Sequence, residues 1–168
     1  MRIKISRAFF ALLPICFAAI SADVTQSDSW HIYQEKDKLT DKTTVVAVIS
    51  LPNAYSKRNL GRDMGLYMRC SNGKTESFVT FEDIVSYDDT QVAYRFDGGN
   101  VIKSKWSRAE GGQALFAVKP ISFIKEMTKH KTMVFGFSPY GSEMQAVEFN
   151  IEGAKNAMAA VSEACDWK

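Results

Sequence analysis

Cys70, Cys165, His31, His130 and the charged trio Arg69, Arg95 and Asp97 are the residues of this chain with chemistry to offer. Nucleophilic catalysis needs a serine or cysteine with a base in hydrogen-bond reach. His31 lies near the start, and His130 sits in the lysine-flanked "KHK". The "GFSPYG" stretch places glycines around a serine but lacks the G-x-S-x-G elbow. His130 therefore reads as a solvated cation near a helix C-terminus. No histidine pair has metal-ligand spacing, and the cysteines are far apart, so no metal site is expected. The acidic pairs Glu82-Asp83 and Asp88-Asp89 lack the alternating oxygen ligands of a calcium loop. Neither "DGGN" nor "EGGQ" continues as a phosphate-binding loop. Asp97 and Glu110 are weak candidates for paired-carboxylate chemistry, whose geometry sequence does not show. No catalytic residue and no cofactor is expected.

Arg69, Arg95 and Asp97 stand on strand faces opposite aliphatic side chains. Three readings remain open for them: solvated or cross-strand-paired charges, a network covered by a helix or loop, or a ligand contact. Trp30, Trp106 and Trp167 are candidates for a binding surface. Trp167, two residues past Cys165, suits packing beside a disulfide.

The cysteines speak most clearly about location. Arg2, Lys4 and Arg7 precede the apolar "AFFALLPICFAAI", and "AISAD" offers a small-residue cleavage site, the pattern of a signal peptide over residues 1–22. The run is short of the roughly 20 residues that span a bilayer. Three of the 21 basic residues and none of the 19 acidic ones precede Asp23, so the exported chain is near neutral. That balance gives no support to nucleic-acid or anionic-membrane binding. Cys16 leaves with the leader, and in an exported chain the remaining pair, Cys70 and Cys165, reads as a disulfide. Closing a loop of roughly 95 residues is worth about 4–5 kcal/mol in the chain-entropy model. The rival reading is a reactive thiol with a buried partner.

The elements that position these residues follow from periodicity. "TTVVAVIS" is a β-branched run suited to a strand buried on both faces. Residues 51–65 mix Pro, Asn, Gly and charge and read as a surface loop, with Tyr55, Lys57, Arg58 and Arg62 as partner contacts. Leu66, Met68 and Cys70 then share one strand face and Tyr67 and Arg69 the other, ahead of a Ser71-Asn72-Gly73 hairpin turn. "QVAYRF" and Asp97-Gly98-Gly99-Asn100 repeat the device, and "VIKSKW", "QALFAV", "TMVFGFS" and "QAVEFNI" supply further strands. Pro120 opens a short helix expected over 120–131. Ala154, Ala157, Met158, Val161 and Cys165 form the apolar stripe of a C-terminal helix. The expected fold is one strand-rich α+β domain over residues 23–168, a sandwich or strongly bent antiparallel sheet, with the disulfide clamping that helix.

Trp30, "LYMRC", "VAYRFD", "KWS" and the closing "AVEFNIEGAKNAMAAVSEACDW" follow an order that resembles the VasI/TagO-like proteins associated with type VI secretion, also found in prophage-type settings. Carried over by position, the matching residues are Arg69, Cys70, Arg95, Asp97, Trp106, Ser107, Phe149, Gly153, Cys165 and Trp167. The resemblance implies an exported periplasmic accessory protein, or one released outside the cell, that binds an envelope protein. Its partner would be a component of the secretion apparatus, with Trp106 a further contact. The alternative is a phage- or host-encoded inhibitor or exclusion factor that blocks an enzyme or receptor, and a cell-wall hydrolase is the third reading.

Overall fold

The computed structural model describes residues 25–27, 29–57, 60–85 and 90–167, so the leader expected over residues 1–22 and Arg58 lie outside the described residues. The chain runs β1 (Thr25–Ser27), β2 (Trp30–Lys36), β3 (Thr43–Lys57), β4 (Leu60–Ser71), β5 (Lys74–Phe81), β6 (Gln91–Phe96) and β7 (Ile102–Lys105). It continues through β8 (Ser107–Arg108), β9 (Ala114–Phe116), α1 (Pro120–Met127), β10 (Thr132–Phe137), β11 (Gln145–Asn150) and α2 (Ala154–Ala164). Two antiparallel sheets result, a seven-stranded one ordered β1-β2-β3-β4-β5-β9-β8 and a four-stranded one ordered β11-β10-β6-β7.

Turn chemistry sets the registers. Asn72 and Gly73 both adopt positive φ, 52° and 73°, as a two-residue hairpin between right-twisted strands requires. That turn locks Ser71 opposite Lys74 and Cys70 opposite Thr75. Asp97 and Gly98 take the same left-handed pair, 47° and 71°. The core fills the space between the sheets. Phe81 of the large sheet stacks on Phe137 of the small one at 4.7 Å, and Leu66, Met68, Phe135 and Phe149 are fully buried around them.

The expected loop over 51–65 is instead a strand pair. After Leu51 and Met64 the register shifts, and pairing resumes at Tyr55 and Arg62. Three residues of β3 oppose Asp63 alone, with Asn53 in a left-handed conformation and its backbone N–H donating to Asp63 Oδ1 at 2.9 Å. Pro52 and Asn53 broke the alternation that marks a strand in sequence. Two extra residues, however, keep the inward–outward parity, so Tyr55 faces the core.

α2 closes the inner face of β3 and β4 with Ala154, Ala157 and Val161. Cys165 follows as its C-cap and bonds Cys70, which is buried near the C-terminal end of β4, with Cα atoms 5.6 Å apart. The clamp anticipated from the cysteines is present. Trp167 Nε1 donates to Thr75 Oγ1 at 2.6 Å just beyond it, and Trp30 Nε1 donates to the Ile151 carbonyl at 3.4 Å.

α1 begins at Pro120 as expected but ends at Met127 rather than near 131. Asp97 captures the chain there. Its Oδ1 accepts the backbone N–H groups of Lys131 and Thr132, each at 2.9 Å, and its Oδ2 lies 2.8 Å from His130 Nδ1. His130 also approaches Glu126 at 3.3 Å and stacks on Phe96 at 4.7 Å. The Thr132, His130 and Lys131 contacts hold the Asp97 carboxyl at about 2, and the Asp97 and Glu126 carboxylates raise the imidazole above its ordinary value.

Two predictions follow from these ties. Cys165→Ser removes the clamp and should lower unfolding free energy by about 2–5 kcal/mol in urea titrations, an effect reproduced by reducing the native protein. The His130 contribution is full below about pH 6.5 and is lost as pH rises through its elevated folded value, while that of Asp97 is lost only as pH falls from about 4 toward 2. The Tm gap between native protein and His130→Gln should therefore be widest near pH 5–6 and narrow by pH 8. A gap that widens with rising pH would contradict the assignment.

Candidate functional site

With its inner face closed, the large sheet presents its outer face as the main free surface. In-register pairing writes that face as two rows. One is His31–Val48–Tyr67–Phe78–Phe116 and the other Tyr33–Val46–Arg69–Glu76. Tyr67 and Phe78 stack at 4.8 Å with their planes 4° apart, and Phe78 and Phe116 stack at 4.6 Å. Arg69 lies over the Phe78 ring at 4.9 Å and binds Glu76, which Lys74 also reaches at 2.9 Å. Burial opposes ionisation of Glu76, yet the Arg69 and Lys74 contacts outweigh it and hold the carboxyl below its usual range. Arg69 is thus paired across strands with Glu76 while its guanidinium covers the aromatic ladder.

Beside the ladder runs a groove of about 660 Å³, lined by Ser50, Pro52, Asp63, Gly65, Tyr67 and Glu82 among others. Gly65 shapes it. A Cβ there would meet Tyr67 Cε2 at 2.5 Å, because the ring leans across the glycine and fills the space a side chain would take. Asp63 and Glu82 make one rim acidic, with Arg62 Nη1 3.8 Å from Glu82 Oε2 and Nε 3.9 Å from Asp83 Oδ2.

Past Leu51 and Met64 the β3–β4 hairpin is flanked by neither β2, whose pairing stops at Val48, nor β5, whose pairing stops at Met64. It projects as a two-stranded ribbon with Leu60 well exposed. The residues singled out in sequence divide here. Arg62 is on the ribbon. Lys57 is in its backbone, but its side chain, like Arg58, lies outside the described residues. Tyr55 is buried, edge-on to Phe137 at 5.2 Å, with its hydroxyl 3.1 Å from Asp83 Oδ2, and burial raises its phenol. Trp106 is only 4 % exposed, against Phe123 and Phe135. Both are core residues rather than surface contacts. Arg95 is exposed on the small sheet, and Asp97 serves the α1–β10 junction, so the two do not form one network. The ladder residues Tyr33, Phe78 and Phe116 were not foreseen, although Tyr67 and Arg69 were visible as the face opposite Leu66.

Among the described residues no group of three or more His, Cys, Asp or Glu side chains is arranged to hold a metal ion. Both ring nitrogens of His130 face carboxylates, and among the described residues no serine or cysteine is bonded to them.

Residues 16–167 match the family model described as type VI secretion system VasI, EvfG, VC_A0118. The chain belongs to the VasI family. Among solved structures, this VasI-family fold is similar to invasion associated protein B from Bartonella henselae, at 12% identity and a TM-score of 0.55, over 86% of this chain and 99% of that one. At that identity the likeness concerns the fold alone. No curated protein matches the chain significantly. No helix among the described residues of this VasI protein is long and apolar enough to cross a membrane.

Gly65 and Tyr67 should behave as one unit. Gly65→Ala is expected to cost about 1–3 kcal/mol through the ring clash, and most of that cost should vanish in a Tyr67→Ala background. Additive losses in urea unfolding would show that Tyr67 does not lie over Gly65.

Proposed function

We propose that this VasI-family protein is an exported, non-catalytic accessory domain of the bacterial envelope, periplasmic, that binds another envelope protein within or beside a type VI secretion apparatus. The observation that carries the reading is the outer face of the large sheet with its projecting ribbon. An aromatic ladder pinned by an arginine, an adjoining groove and a hairpin that runs on past its neighbouring strands are the features by which a sheet surface recognises protein, since aromatic and arginine side chains anchor such contacts. Tyr33, at 41 % exposure, presents apolar surface on that outer face, and Leu60, at 58 %, presents it on the ribbon, on the side it shares with Tyr55 and Arg62. Lys57, Arg58 and Arg62 would supply the polar contacts at the ribbon. Export is supported by the leader pattern and by a disulfide that persists in an oxidising compartment. A binding role rather than a catalytic one is supported by His130, whose ring nitrogens are committed to structural carboxylates.

The test is affinity capture from crosslinked envelopes of the native host, with the bound secretion-apparatus proteins quantified by mass spectrometry. Tyr33→Asp and Leu60→Asp should each reduce capture about tenfold, the scale of a single anchor, while leaving Tm within about 2 °C. Capture that survives both changes, or fails only when Tm collapses, would remove this face from the mechanism.

A further inference from the structure

The four-stranded sheet also has a free outer face, with a different character. Register across β7, β6, β10 and β11 gives one row Lys103–Ala93–Gly136–Ala146, and across β6, β10 and β11 a second row Arg95–Val134–Glu148. Between the charges lies an apolar groove of about 370 Å³ lined by Ala93, Val101, Val134, Gly136, Met144 and Ala146. Val101 is 57 % exposed and Met144 51 %. The Met144 sulfur lies 3.4 Å from where a Gly136 side chain would begin, so a flexible thioether lies across the floor. Arg95, Lys103 and Glu148 are all exposed, and none has an ion-pair partner among the described residues. Two strand spacings, about 10 Å, separate Arg95 from Glu148 along their row, with Val134 between them.

We infer that this face is a homodimer interface and that its occupant is a second copy of the chain. The order of charges selects that occupant. A basic partner would place like charge on Arg95 and Lys103, and an acidic partner would do so on Glu148. A surface with the same order reversed satisfies both sides, and a two-fold axis supplies it. With the axis along β10, between two facing sheets, β6 of one copy lies over β11 of the other. Arg95 then meets Glu148 of the second copy, and the pair forms twice. Ala93, Val134, Gly136 and Ala146 form the low, apolar centre that lets the sheets approach to packing distance.

Four strands at about 4.8 Å spacing and six residues at about 3.4 Å make a face of about 400 Å² per copy. That is half the standard patch, so the dimer is weak and salt-sensitive. The dimer surface and the proposed partner surface are on different sheets, so either stands without the other.

Sedimentation equilibrium of the disulfide-intact protein from about 1 to 500 μM covers the concentrations at which a weak dimer forms and dissociates. The native protein should fit a monomer–dimer equilibrium that weakens with added salt. Glu148→Arg and Arg95→Glu should each raise Kd at least tenfold, and the Arg95→Glu/Glu148→Arg swap should recover it. Circular dichroism and Tm confirm that these exposed changes leave the fold intact. A monomer at every concentration, or a dimer indifferent to both single reversals, overturns the proposal. So does a monomer that binds anionic vesicles through Arg95, which would assign the face to lipid.

Discussion

The bond between Cys70 and Cys165 is the constraint on which the rest of the molecule depends. α2 has little stability of its own: it enters through Gly153 in a left-handed conformation, carries no side-chain cap and has no acidic residue in its first turn. Burial of Ala154, Ala157 and Val161 and the covalent tie hold it against β3 and β4. Once α2 and the small sheet close that side, strand parity decides everything opposite. Leu66, Met68 and Cys70 point inward, so Tyr67 and Arg69 must point outward. The candidate recognition surface is therefore the geometric complement of the disulfide-anchored core.

The same logic accounts for the second surface. Asp97 ends β6, draws in the start of β10 through two backbone N–H groups, and so fixes the register that places Val134 between Arg95 and Glu148. Of the residues that carry the resemblance to the VasI family, most serve the scaffold. Phe149 and Trp106 are core, Gly153 admits α2, and Asp97 secures a junction. The two arginines differ. Arg69 is on the outer face of one sheet and Arg95 on that of the other.

What could be seen in the sequence was what local physics determines. Alternation through residues 66–81, Asn72-Gly73 and the stripe from Ala154 to Cys165 depend on neighbours in the chain, and the sheet strands, hairpin and terminal helix appear where those patterns stand. The ribbon was hidden because its bulge interrupts alternation with Pro52 and Asn53 while preserving parity. Tyr55 and Trp106 looked like surface anchors because burial of an aromatic is decided by distant partners, here Phe137 for one and Phe123 and Phe135 for the other. The ladder was invisible for the same reason: Tyr67, Phe78 and Phe116 come together through β4–β5 and β5–β9 registers, and the second is long-range.

The central claim is that the outer face of the large sheet, together with the ribbon that extends it, meets a secretion-apparatus protein in the envelope. The most direct measurement is site-specific photocrosslinking in the native host, with a photoreactive residue at Tyr33 or Leu60 and, as control, at the highly exposed Leu39. The account predicts one crosslinked apparatus component from Tyr33 and Leu60 and none from Leu39. Silence at Tyr33 and Leu60, or the same adducts from all three positions, would contradict it.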